Sequence, residues 1–177
     1  MSTNPPLDIE RLRIRAERPA DANAIGQMTT AAFAPMAFSS GTEARIVAAL
    51  RDAGVLSVSL VATDVDGAMI GHIAFSPVTI DDQVGDWYGL GPVSVAPQMQ
   101  RRGVGSALVK SGLARLTEMH AWGCVLLGNP AYYGRFGFVS DPALTYQKQP
   151  NRYFQRLGLA GIPMMGDVRF HPAFDAQ

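Results

Sequence analysis

The sequence is short of most features that announce a special environment. It has one cysteine, Cys124, so no internal disulfide can form, and that residue lies in the apolar run Gly123 to Leu127. A lone thiol in an apolar run reads as a small hydrophobe rather than a nucleophile, and the chain reads as a reduced, cytoplasmic protein. Neither sign of charge is in excess, since 15 Lys+Arg face 15 Asp+Glu. That balance argues against a nucleic-acid or anionic-membrane partner. No apolar run approaches the roughly 18 residues that a spanning helix needs, and the polar, proline-bearing start Met1 to Glu10 is unlike a secretory signal. The three histidines and the one cysteine show no metal-ligand spacing, so no metal is expected. Repeats and low-complexity segments are missing too, and 177 residues suffice for one well-buried domain but are few for two.

What is present is a regular alternation of elements. Residues 1–10 read as a loose arm and residues 11–177 as a single domain. Leu12 to Arg15 alternate as a strand, Pro19-Ala20-Asp21 opens a helix, and Ile25, Met28, Ala32 and Phe33 give it an apolar stripe. Ser40-Gly41-Thr42-Glu43 has the form of a capping box ahead of Ile46, Val47 and Leu50, which predicts a second helix ending near Gly54. From Val55 the period becomes two, with Asp66-Gly67 as a hairpin turn into Met69, Ile70, Ile73 and Phe75. A central strand, a helix to about His120, the strand Gly123 to Leu127 and a short helix near Tyr132 to Phe136 follow. The expected fold is α/β with a mixed, mostly antiparallel sheet flanked by helices. Residues 138–177 are broken by Asp141-Pro142, Pro150 and Gly158 to Pro163; Met164, Met165, Val168 and Phe170 suggest a last strand.

The chemistry gathers where the central strand meets its helix, at Gln100-Arg101-Arg102-Gly103-Val104-Gly105-Ser106. Glycine lets backbone approach a ligand, and the first helical turn offers unpaired N–H donors at the positive end of its dipole. The combination suits a phosphate or pyrophosphate. A Walker loop would need Gly-x-x-x-x-Gly-Lys-Ser/Thr, and a dinucleotide fingerprint a third glycine where Ala107-Leu108 stand; neither is present. Upstream, Gly91-Pro92 sits inside the strand, where a missing donor and a bulge-prone glycine predict that pairing with a neighbour is lost partway along.

Gln100-x-x-Gly103-x-Gly105 after an apolar strand resembles the pyrophosphate loop of the GNAT superfamily of N-acetyltransferases. Asn129-Pro130-Ala131-Tyr132-Tyr133-Gly134-Arg135-Phe136-Gly137-Phe138 resembles the later strand-to-helix segment of a bacterial subgroup, ending in the superfamily's Tyr-x-x-x-Gly-Phe signature. The two motifs occur in the right order and at the right separation, and the likeness covers roughly Arg13 to Phe138. It implies a single GNAT-like domain with splayed central strands and acetyl-CoA as co-substrate. The backbone from Arg101 through Ser106 would wrap the pyrophosphate, with Gln100 in the motif, charge from Arg101 and Arg102, and Gly103, Val104 and Gly105 forming the turn. Val93, Ser94 and Val95 match the strand along which the pantetheine arm pairs, and Asn129 either caps the short helix or touches that arm. Tyr133 matches the tyrosine that protonates the departing sulfur; Tyr132 is read as core.

The general base departs from the clearest members, because no carboxylate lies between Trp87 and Val95. Asp86, Glu43 and His72 are the candidates. The acceptor is a small-molecule or peptide amine of unread identity, and dimerisation through the tail or a sheet edge is left open. Two other classes compete: an acyl-CoA-binding sensor without turnover, and a nucleotide- or phosphosugar-binding domain using the same glycine turn.

Overall fold

A computed structural model describes residues 12–37, 39–149, 151–162 and 165–175. The expected arm at residues 1–10 and Met164 lie outside the described residues. The chain runs β1 (Arg13–Ala16), α1 (Ala22–Phe33), α2 (Glu43–Asp52), β2 (Val58–Thr63), β3 (Met69–Ile80), β4 (Gln83–Val95), α3 (Val104–Glu118), β5 (Gly123–Leu127), α4 (Pro130–Tyr133), β6 (Leu144–Tyr146), β7 (Phe154–Gly158) and β8 (Gly166–Arg169). The sheet order is β1-β2-β3-β4-β5-β7, with β8 joining β3 and β6 joining β8. Pairing is antiparallel except for β4 with β5 and β6 with β8. The expected mixed, mostly antiparallel α/β sheet is what forms.

Period-two alternation sorts the strands' side chains to two layers. On β2, Leu60 and Ala62 join Phe75, Leu90, Leu108 and Leu116 in the core beneath α3. Val61, between them, packs the other way, with Ile25 of α1 and Val47 of α2. The sheet is thus sandwiched, α3 on one face and α1 with α2 on the other.

The closest contact in that sandwich involves Gly112, in the middle of α3. A Cβ there would lie 2.2 Å from the Phe75 ring, which is wholly buried. Alanine would gain about 1 kcal/mol of helix propensity, but overpacking a dense core costs about 1–3 kcal/mol. Gly112→Ala is therefore expected to lower stability by up to about 2 kcal/mol in urea unfolding. Combining it with Phe75→Leu should recover part of the loss, a coupling that additive effects would not produce.

Two local readings need correction. The capping box at Ser40 to Glu43 does not form: Thr42 is the N-cap of α2, without a side-chain cap bond, and Glu43 is the first helical residue. Ser40 Oγ pairs with Thr42 Oγ1 at 2.7 Å, and Ser39 Oγ donates to Glu43 Oε1 at 2.7 Å. The short-range competition of three hydroxyls around Gly41 replaces the reciprocal cap. One turn before α1, Arg18 N–H donates to Asp21 Oδ2 at 2.7 Å, the half of such a box that an arginine cap allows.

The tail is also more ordered than its breakers suggested. β7 pairs along the whole of β5, and β8 runs from Gly166 to Arg169. Asp81, in the β3–β4 turn, holds β8 twice: its N–H donates to Asp167 O at 2.9 Å, and its carboxylate accepts from Asp167 N–H at 2.8 Å.

Candidate active site

β4 and β5 pair only from Trp87 with Gly123 to Gly89 with Val125. Beyond Gly89 they part. β4 continues against β3, but Gly91 and Pro92 stand together opposite Ala74, a bulge of two residues against one. The pairing then resumes with Ile73 and Val93, His72 and Ser94, and Gly71 and Val95.

The direction of the backbone groups follows from that register. Ala96 N–H donates to Ile70 O at 3.0 Å, so in the alternating antiparallel pattern Ser94 also spends its N–H and C=O on β3. Val93 and Val95 turn theirs toward the gap left by β5. Gln100 Nε2 donates to the Val95 carbonyl at 3.1 Å, so Gln100 folds the loop back onto the strand end. The backbone of Val93 and the N–H of Val95 are what remain facing the gap. Ser94, expected beside Val93 and Val95 as a cofactor contact, points away: its Oγ is buried against Thr29 Oγ1 of α1 at 3.0 Å.

The glycine turn lies at the next step of the chain. Arg101 adopts φ 56° and Gly103 φ 89°, the left-handed conformations that wind the loop into α3. The first bond entering the α3 ladder is Ala107 N–H to Gly103 O at 3.0 Å, so the N–H groups of Val104, Gly105 and Ser106 precede the ladder. Val104 anchors the turn with a buried side chain, Arg101 is exposed, and Arg102 is half-buried with its guanidinium 3.5 Å from Met99 Sδ.

Two tyrosines of α4 bridge the turn and the gap. Asn129 Oδ1 accepts from Ala131 N–H at 3.0 Å, the capping role, and sets the helix at the end of β5. Tyr133 lays its ring on Gly128, where a Cβ would come within 2.4 Å, and meets Tyr132 edge-on at 4.9 Å. Its hydroxyl makes no hydrogen bond to any described residue. Burial, with smaller contributions from Tyr132 and Cys124, pushes Tyr133 up to about 12. Tyr132, read as core, instead reaches the α3 start: its hydroxyl lies 3.5 Å from Ser106 Oγ and beside Gly105, with the Arg135 guanidinium 4.5 Å over its ring. Helical period alone could not show this, because α4 is a single turn and both neighbours fit on its inner side.

The gap opens into a cleft of about 540 Å³ whose walls include Phe33 at the end of α1 and Met36 after it, Glu43 and Ile46 of α2, Gly91 to Val93, Asn129, both tyrosines, and Tyr146, Phe170 and Phe174 of the tail, and the glycine turn adjoins it through Tyr132. Of the three candidate bases, Glu43 alone lines it. Asp86 is exposed, with its carbonyl taken by Trp122 N–H at 2.7 Å. His72 is fully buried on β3, where Nε2 meets Ser59 Oγ at 2.8 Å. Cys124 is buried, and burial pushes its thiol up, away from nucleophilic use. Among the described residues, no group of His, Cys, Asp or Glu could hold a metal ion, and no helix is long and apolar enough to cross a membrane.

The parallel pair thus parts beside a glycine-bearing helix start, with the half-buried phenol of Tyr133 in the gap, an arrangement able to take a phosphate-bearing donor. Comparison with known proteins agrees. The family described as acetyltransferase (GNAT) domain matches residues 13–140, and the chain belongs to it. It is 41% identical over 125 residues to the Escherichia coli N-acetyltransferase YhbS, itself uncharacterized, covering 71% of this chain and 72% of that one. The crystal structure of YhbS in complex with CoA superposes with a TM-score of 0.85 at 35% identity, over 99% of this chain and 96% of the other. A GNAT acetyltransferase from Brucella melitensis, in complex with acetyl-CoA, superposes with a TM-score of 0.83 at 49% identity, over 93% and 98%.

Proposed function

We propose that the protein moves an acetyl group from acetyl-CoA to a primary amine by direct attack. The observation that carries this is the meeting of three features in one place: the β4–β5 gap, the free N–H groups at the start of α3, and the Tyr133 hydroxyl. The residues present fit the donor. N–H groups from Arg101 to Ser106 take the pyrophosphate, and Tyr132 and Ser106 offer hydroxyls at its edge. Val93 offers its backbone to the pantetheine arm and its N–H to the thioester carbonyl, where charge develops as the amine adds. The C–N bond forms and the C–S bond breaks; the amine's proton leaves through water, and the thiolate takes a proton from Tyr133. With its pKa near 12, Tyr133 carries its proton at neutral pH, so it serves as acid and not as base.

The test is a melting experiment with CoA, acetyl-CoA, ATP and NAD on the wild type and on Gly103→Glu. The variant puts a carboxylate where phosphate should lie, and CoA affinity is expected to fall at least about tenfold, a loss of about 1.4 kcal/mol. Because Gly103 sits at φ 89°, part of any change in the unliganded protein is backbone strain; Gly103→Asn, whose side chain tolerates that conformation, separates the two. Stabilisation by CoA species alone, lost in Gly103→Glu, supports the reading. No response to CoA overturns it.

A further inference from the structure

The acceptor wall of the cleft has a composition that selects among amines. Phe33 ends α1 and Met36 follows it, Ile46 rises from α2, and Phe170 and Phe174 come from the tail, all facing one space. The tail aromatics support one another: Tyr146 meets Phe170 edge-on at 5.6 Å, and Phe170 lies 5.0 Å from Phe174. The 3-10 turn that carries Phe174 is seated on α2 through Ala173, which packs with Ile46 and Leu50. Glu43 is the one charged side chain of the lining, and no lysine, arginine or histidine among the described residues shares that wall. The failed capping box explains why the carboxylate is available there: at the first position of α2 it is held by Ser39 Oγ at 2.7 Å rather than folded back over its own helix end.

We infer that the acceptor is a primary amine borne on an aromatic or similarly apolar group, with its ammonium end drawn by Glu43 and its ring against Phe33, Met36 and Phe174. This rests on the acetyltransferase reading and narrows it. An amino acid would bring a carboxylate to a wall without a cation. A polyamine would bring several charges to one carboxylate, and an aminoglycoside many hydroxyls to apolar side chains; both would leave polar groups desolvated without partners. A cleft of this volume and lining suits one small molecule with a large apolar part and one fixed polar end.

The experiment measures thiol release from acetyl-CoA with 2-phenylethylamine, tryptamine, ethylamine, spermidine, phenylalanine and kanamycin, alongside CoA stabilisation of the same protein. The two aryl amines are expected to exceed ethylamine in kcat/KM by about 10- to 100-fold, the range for burying one ring, and to exceed phenylalanine, which has the ring but also a carboxylate that meets no cation. Glu43→Gln is expected to raise KM for 2-phenylethylamine about tenfold with a much smaller change in kcat, and Glu43→Asp to recover part of it; a merely structural carboxylate would not give that split. If CoA stabilises the protein but spermidine, kanamycin or phenylalanine is preferred, if none of the amines is acetylated, or if Glu43→Gln leaves KM unchanged, the inference falls while the transferase reading stands. If CoA does not stabilise the protein, both fall.

Discussion

Tyr133→Phe is expected to lower kcat by about 10²- to 10⁴-fold, the usual loss on removing a positioned proton donor, with CoA affinity within a few-fold of wild type. The substitution removes one oxygen and keeps the ring that packs on Gly128 and against Phe138 at 6.0 Å, so the melting temperature should barely move. The pH profile supplies a second readout. A donor held near 12 stays protonated across the working range, so the wild-type rate should rise with pH as the acceptor amine becomes neutral and should not fall again from loss of the Tyr133 proton below that value. An alkaline limb with a midpoint well below 12, lost in Tyr133→Phe, would place a different and less buried acid in the step. A variant of unchanged kcat would remove Tyr133 from the chemistry altogether. Tyr132→Phe separates the neighbours: its hydroxyl faces Ser106, so its effect should fall on the KM for acetyl-CoA.

How much of this was legible in the sequence differs by element. The central unit was plain, because Leu90, Val93 and Val95, the double-glycine turn and the stripe Leu108, Val109 and Leu116 each report a local preference that the fold keeps. The parting of β4 from β5 was legible as well, since Gly91-Pro92 disfavours regular pairing whatever its neighbours are. Glu43 was one of three candidate bases, weighed against a capping box that does not form. The Ser-x-x-Glu spacing is the capping signal, yet Ser39 and Thr42 compete for the same groups, and the helix starts two residues later than a Ser40 cap would place it. Ser94 was misplaced by its company: adjacent to Val93 and Val95, it necessarily shows the opposite face and the opposite hydrogen-bonding edge. Of the tail only the last strand was anticipated, around Val168, because these strands carry little local signal. Gln155 and Arg156 sit in β7, and β8 has the sequence Gly-Asp-Val-Arg; both exist because β5 and β3 offer edges from far along the chain, a non-local pairing that periodicity does not encode.

His72 illustrates a last distinction, between a residue that reacts and one that holds. Glu17, after β1, accepts from Arg51 Nε of α2 at 2.5 Å and from Ser59 Oγ of β2, and its Oε2 lies 3.7 Å from His72 Nε2. Its own N–H donates to Ser59 O at 2.9 Å. One carboxylate, 10% exposed, thereby ties three strands to the C-terminal end of the helix whose other end presents Glu43. Burial alone would push Glu17 up, but nearby His72 and the hydrogen bonds from Arg51 and Ser59 outweigh it and hold the carboxyl at about 2 against an ordinary 4.5. A depressed acid stabilises the fold above its unfolded value and loses that contribution as pH falls through its folded one. Stability should therefore decline between pH 4.5 and about 2 by a share approaching about 3 kcal/mol, and Glu17→Gln should flatten that part of the curve. Glu17→Ala, which strips Arg51 and Ser59 of their acceptor, is expected to cost about 3 kcal/mol or more at neutral pH in urea unfolding, and a cycle with Arg51→Ala should show strong coupling. If the cluster only holds, enzyme that remains folded in these variants keeps its kcat and its pH profile. If instead kcat collapses in Glu17→Gln while the melting temperature is unchanged, the pair is a proton path from the acceptor, and the base sought on the central strand lies one strand away on β3.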